Sequence, residues 1–183
     1  MALLELRIVP DPMLRRKTKR VRIIDASIRR LVDDMVETMH YEGGVGLAAN
    51  QVGVLHRVAV IQRPEDEEPL VLINPEIVRR EGQREVEEGC LSIPGYRAML
   101  FRSVTVRVKA QDRHGKPFRI KAQELLAQAL EHELDHLNGI LYIDHLESHE
   151  KLYKFPKEPQ EPSGVDPTGE PEEAVVADSG AVR

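Results

Sequence analysis

The chain has 183 residues, the size of one domain, and its 41% apolar residues suffice for a real core. Its formal net charge of −5 lies wholly in residues 156–183, where seven acids face only Lys157 and Arg183. The longest apolar runs, such as Val58 to Ile61 and Leu70 to Ile73, are four residues, too short for a membrane-spanning helix. One cysteine excludes an internal disulfide framework and fits a reducing cytoplasm. Three Phe, four Tyr and no Trp leave few stacking platforms for nucleic acid, so no sequence-specific binding of it is expected. The first residues lack the apolar stretch of a secretory signal, and Glu5, Asp11 and two prolines argue against a transit peptide. A cytoplasmic location follows.

Asp25 reads as an N-cap, and Ile28, Leu31, Val32, Met35, Val36 and Met39 recur at helical spacing up to Gly43-Gly44. Strand-like runs follow at residues 57–62, 70–73 and 76–80. Val104, Val106 and Val108 then alternate with Thr105, Arg107 and Lys109, the pattern of a half-buried strand. Asp112 to Gly115 reads as a turn before a short strand at 118–121. A second helix is expected over about 123–138, with Gly139 suited to its C′ position. One or two further helical turns are expected within Asp144 to Lys154. One helix, many short strands and one helix indicate an α+β fold. Residues 1–150 read as the folded domain. Residues 151–183, rich in Pro and Glu, read as an acidic tail that cannot bury enough to offset its ordering entropy.

The second helix carries His132-Glu133-Leu134-Asp135-His136. Two histidines four apart on a helix lie about 40° apart around its axis, so both imidazoles can reach one metal ion. Glu133 is beside the first ligand, placed to act on a water without being a ligand. A hydrolytic site needs a third protein ligand and an open position. In the zinc-protease pattern the third ligand would fall at Tyr142, which weakens an endopeptidase reading. Asp144, His145, Glu147 and His149 lie downstream of the helix. Upstream, Cys90 sits in Glu88-Gly89-Cys90-Leu91-Ser92, where a thiolate would donate strongly to a borderline-soft metal. A third segment, Gly44-Val45-Gly46-Leu47-Ala48-Ala49-Asn50-Gln51, leaves room for a substrate backbone and offers a neutral amide donor for a developing oxyanion.

In this order and spacing the three segments resemble the peptide deformylases, whose motifs are G-x-G-x-A-A-x-Q, E-G-C-L-S and Q-H-E-x-D-H. The resemblance covers about residues 1–150. It implies antiparallel sheets packed around a central helix carrying the H-E-x-x-H motif. It implies one divalent metal held by Cys90, His132 and His136, most often Fe²⁺, with Zn²⁺ or Ni²⁺ able to take the same site. It further implies hydrolysis of N-formylmethionyl peptides to formate and a free N-terminal Met. Metal-bound hydroxide would be the nucleophile, Glu133 the general acid/base, and Gln51 with the Leu91 backbone N–H the oxyanion donors. Val45, Val86, Leu125 and Ala129 would line the methionine pocket, Gly46 and Gly89 would bond the peptide backbone, and Arg97 would lie beside it. Glu131 stands where many members have Gln, and Gln128 where a more apolar residue is common. The ribosome is implied as a transient partner, with the run Arg15, Arg16, Lys17, Lys19, Arg20 and Arg22 as one surface for it. A zinc endopeptidase and a catalytically dead peptide-binding module are the alternatives. Cys90→Ala separates the first, and the filled catalytic positions speak against the second.

Overall fold

The computed structural model describes residues 2–155. Helix α1 spans Ala26–Tyr41, and the Asp25 carboxylate caps it by accepting the Ser27 and Ile28 backbone N–H groups at 2.9 and 3.2 Å. Eight strands follow in chain order: β1 Gly46–Ala48, β2 Val58–Ile61, β3 Leu70–Glu81, β4 Arg84–Cys90, β5 Ile93–Arg102, β6 Thr105–Gln111, β7 Pro117–Gln123 and β8 Leu152–Lys154. Helix α2, Glu124–Leu137, lies between β7 and β8 in sequence. The strands form two antiparallel sheets, β1-β2-β3-β6-β7 and β4-β5-β8. The α+β architecture expected from the sequence is the one observed.

The two faces of the larger sheet explain why β2 reads as an unbroken apolar run. Val58, Val60 and Ile73 face α1 and pack with Ile28, Val32, Met35 and Met39. Ala59, Ile61 and Leu72 face the other way and pack with Ala127, Leu130 and Leu137 of α2. With period-2 alternation, both phases of the strand are buried. A third cluster, Leu14, Val86, Ile93, Leu100, Leu141 and Tyr142, fills the space under the smaller sheet. Helix α2 thus runs between the two sheets with opposite flanks covered.

Several elements differ from the sequence expectation. The runs 70–73 and 76–80 are one strand, β3, which continues through a register shift at Asn74 (φ 54°) and Pro75. The hairpin of β4 and β5 occupies a stretch with no expected strand. The stretch Asp144 to Lys154 is not helical throughout: short 3₁₀ turns at Tyr142–His145 and His149–Lys151 give way to β8, which pairs with β5. The segment from 151 onward therefore begins with a paired strand, and the tail expected beyond it, 156–183, lies outside the described residues.

Candidate metal centre

Helix α2 is anchored at its C-terminal end by groups from two other segments. The Thr18 backbone N–H and hydroxyl both donate to the Leu137 carbonyl (3.0 and 2.8 Å), and the Asn50 amide donates to the His136 carbonyl at 2.6 Å. Gly139 (φ +78°) closes the helix where a Cβ would stand 2.4 Å from the Arg15 carbonyl oxygen, so only glycine fits. These bonds fix the rotation of the helix. His132, Glu133 and His136 consequently meet the end of β4 rather than solvent.

His132 Nε2 and His136 Nε2 lie 3.2 Å apart, and Cys90 Sγ is 3.1 Å from His136 Nε2. Among the described residues these three form a cluster whose donor atoms all fall within 4.8 Å of one another. A tetrahedral site with N and S ligands at ordinary bond lengths has edges of about 3.3–3.6 Å, so the set fits one small ion with little adjustment. Thiolate and imidazole together suit Zn²⁺, Fe²⁺ or Ni²⁺ and not Mg²⁺ or Ca²⁺. The Cys90 sulfur also accepts the Ser92 N–H (3.3 Å) and lies 3.6 Å from the Gln51 amide nitrogen.

The surroundings orient these donors. His132 Nδ1 donates to Glu88 Oε1 at 2.5 Å, which leaves Nε2 as its free lone pair. Glu88 is held in turn by the Arg102 guanidinium through two bonds, at 2.9 and 2.7 Å, and Arg102 also reaches Asp135 at 2.6 Å. Burial opposes the charge on Glu88, yet Arg102 and His132 outweigh it and bring its pKa down to about 2. Burial likewise opposes a proton on His132, but the Cys90 sulfur and Glu88 draw its pKa well up. That pocket of negative potential favours a cation at its centre. His136 moves the opposite way, because of burial and its cationic neighbour His132. Burial pushes Glu133 up to about 7, and its Oε2 is buried with no hydrogen-bond partner among the described residues. Gly46 of β1 makes the space for this carboxylate: a Cβ there would stand 2.3 Å from Glu133 Oε1.

A cavity of about 680 Å³ opens onto this cluster. Cys90, His132 and Glu133 line it together with Val45, Gly46, Gln51, Gly89, Leu91, Arg97, Leu125 and Ala129. His136 lies behind, 1% exposed. Val86 stands apart from the other expected pocket residues, packed among Leu14, Ile93 and Leu100. Gln51 is fully buried; its carbonyl oxygen accepts the Ala48 N–H, and its amide donates to Ser92 Oγ at 3.1 Å.

Residues 3–152 match the Polypeptide deformylase family. The chain belongs to that family. A peptide deformylase of Dehalococcoides mccartyi (strain CBDB1) is 55% identical over 157 residues, covering 86% of this chain and 94% of the relative. The crystal structure of a peptide deformylase from Legionella pneumophila superposes with a TM-score of 0.79 at 45% identity, over 82% of this chain and 89% of that one. A peptide deformylase from Synechococcus elongatus, solved in complex with actinonin, gives 0.79 at 43%, over 81% and 83%. The chain is therefore a hydrolase of the deformylase family, which is metal-dependent and removes the N-terminal formyl group of nascent peptides in protein biosynthesis. Among the described residues no helix is long and apolar enough to cross a membrane.

Tyr142, Asp144 and His145, downstream of the histidine pair, are engaged elsewhere. Tyr142, at the endopeptidase position, is buried under the smaller sheet, and its hydroxyl donates to the Tyr96 carbonyl at 3.1 Å. Asp144 is paired with Arg15, and His145 with Asp135 at 2.7 Å. Glu131, the departure from the family pattern, points away from the cavity: it accepts the Ser103 N–H and hydroxyl (2.8 and 2.9 Å) and the Arg80 guanidinium (2.9 Å). Several cavity residues escaped the sequence reading, among them Glu42, Glu87, Tyr96 and Phe155. Phe155 was beyond reach because β8 carries it there.

Proposed function

We propose that Cys90, His132 and His136 hold one divalent metal, Fe²⁺ in the cell with Zn²⁺ or Ni²⁺ able to replace it, and that the site hydrolyses the formyl amide of formyl-methionyl peptides. Bound there, the metal supplies Lewis acidity and a water whose pKa falls toward about 7. The chain's own residues do the rest. Glu133 takes the proton of the attacking water on its carboxylate and passes it to the departing amine nitrogen. A pKa near 7 makes both of its protonation states accessible at neutral pH. The Gln51 amide and the Leu91 backbone N–H aim at the oxygen on which negative charge develops. Val45, Leu125 and Ala129 enclose the methionine side chain, and Gly46 and Gly89 offer backbone bonds to the peptide. Arg97 stands at the outer wall. The ribosome is a transient partner in this reading, and the cytoplasm the place of action.

The observation that carries the proposal is the buried Glu133 Oε2, without a partner among the described residues, in the cavity lined by Cys90 and His132 of the Cys90–His132–His136 cluster. The test is formate release from formyl-Met-Ala-Ser by anaerobically Fe²⁺-loaded protein, beside Glu133→Ala with its metal content measured. A loss of about 10²- to 10⁴-fold at equal metal content is expected. Equal turnover by both proteins would refute the role of Glu133.

A further inference from the structure

Helix α1 packs over β1, β2 and the start of β3, and α2 lies against the opposite face of the larger sheet. On β6 and β7, Val106, Val108, Ala110 and Ile120 turn toward α2. Strand alternation sends Arg107, Lys109, Arg119 and Lys121 to the other face, where all four are exposed. The register sets them in rows. Arg79, Arg107 and Lys121 stand opposite one another across β3, β6 and β7, and Glu76, Lys109 and Arg119 form the next row. Neighbours within a row are about 5 Å apart, and the rows are about 7 Å apart along β6 and β7. Like charges directly opposite on a sheet face are destabilising, so the row of three cations gains the free protein nothing. Glu76 pairs with Lys109 at 2.9 Å and Glu81 with Arg79 at 2.6 Å. Among the described residues Arg107, Arg119 and Lys121 form no ion pair. Arg20 joins them from outside the sheet. Asn74 bonds the Val21 N–H and carbonyl at 2.8 and 2.9 Å, which pins Arg20 beside Lys109 and Arg119 around a cavity of about 540 Å³.

We infer that this face docks the phosphodiester backbone of double-stranded RNA. An array of cations fixed on a sheet neutralises successive phosphates, and guanidinium forks match phosphate oxygens in pairs. The outward positions of β6 and β7 carry no aromatic residue, so there is nothing on which unpaired bases can stack. They carry no large apolar side chain to bury in a lipid surface either. Contact through phosphates alone suits a duplex, which is recognised by shape and backbone. The choice of RNA rests on the deformylase reading, since nascent peptides are made where RNA is at hand. Because α2 and its histidines lie across the sheet, bound RNA would leave the catalytic cavity open.

The test is fluorescence anisotropy of a labelled RNA duplex of about 16 base pairs, titrated with the full-length protein between about 50 and 200 mM salt. The wild type should bind with a slope of log K against log [salt] of about −3 to −4, the value for the four unpaired cations Arg20, Arg107, Arg119 and Lys121. The double variant Arg107→Gln, Lys121→Gln should bind about tenfold more weakly, with a slope shallower by about 2. It should melt no lower than the wild type and release formate at the same rate. Lys151→Gln with Lys154→Gln removes the same charge from the smaller sheet's side and should keep wild-type affinity. No binding at about 50 mM salt, unchanged affinity in the Arg107, Lys121 variant, or an equal loss in the Lys151, Lys154 variant would each overturn the inference. Displacement of the duplex by polyglutamate as readily as by unlabelled RNA would overturn it too. So would a carbodiimide cross-link from Lys109 or Lys121 to an acid beyond residue 155, which assigns the face to the chain's own acidic segment. Formate release from the same preparations tests the deformylase reading separately, so a failure of either is told from a failure of the other.

Discussion

Replacing Gly46 by alanine adds one methyl group at the place where β1 meets Glu133, and the effect can be worked out from contacts. The ideal Cβ would lie 2.3 Å from Glu133 Oε1, 2.9 Å from Cδ and 3.1 Å from Cγ. Three atoms of one side chain are involved, so a single rotation of the carboxyl group does not clear the methyl. Restoring ordinary contact requires a displacement of about 1 Å. Neither partner can yield easily, because β1 is paired to β2 and α2 is packed on the sheet on one flank. Gly46 does not have a positive φ, so alanine fits its backbone conformation, and Gly→Ala at such a position changes stability by only about 0.4–1 kcal/mol through the unfolded chain. The expected variant is folded, retains its metal, and has kcat/KM lowered about 10²-fold by a misplaced carboxylate. Thermal melts, elemental analysis and formate release on one preparation measure all three. Combining it with Glu133→Asp, whose shorter side chain withdraws from the methyl, should give a double variant no worse than Glu133→Asp alone. A Gly46→Ala protein within threefold of wild-type activity would refute the argument. So would strict additivity in the double variant.

Arg102→Leu removes the guanidinium that touches both Glu88 and Asp135, and the loss of one member of a buried ionic set costs about 3–5 kcal/mol, read by urea unfolding. Glu88 has a folded pKa of about 2 against an ordinary 4.5, so the stabilisation it provides is present above pH 4.5 and lost as the pH falls toward 2. In Arg102→Leu the Glu88 pKa rises, so this Glu88-linked acid loss should be smaller and end at higher pH. Cys90→Ala should leave the protein unable to retain stoichiometric metal through gel filtration, checked by elemental analysis, because two imidazoles alone remain. Asp25→Ala removes the cap of α1 and should cost about 1 kcal/mol, a lowering of Tm by a few degrees, with formate release unaffected.

The parts of the fold legible in the sequence are those whose burial obeys a simple period. Helix α1 shows its apolar stripe because one face meets one sheet, and β6 shows Val106 and Val108 because one face is buried. The β4–β5 hairpin was illegible for a specific reason. Its inward positions include Glu88 and Arg102, each about 4% exposed at the side chain. These neutralise each other inside, so the alternation carries charge where a reader expects apolar residues. Cys90 and Gly89 were legible only as part of a motif, since neither shows a period. Phe155 was illegible because its place depends on β8 pairing with β5, a contact between residues more than fifty apart.

The same ionic cluster explains why the three proposed metal ligands stand ready in the protein's own structure. Cys90 arrives on the smaller sheet and the two histidines on α2, which packs against the larger one, so nothing in either sheet alone sets their separation. Glu88 lies two residues before Cys90 on β4 and bonds His132; Arg102, paired with Arg84 at the far end of the hairpin, bonds both Glu88 and Asp135 of α2. The hairpin is thereby tied to the helix on the side of His132 by charge-assisted bonds that do not involve the ligand atoms. The Asn50 amide, bonded to the His136 carbonyl, ties the second histidine to the segment that also carries Gln51. Two independent tethers on one helix turn leave it little freedom to rotate or slide. The short Cys90–His136 and His132–His136 separations follow from that restraint, and a loss of either tether should widen them before it unfolds the domain.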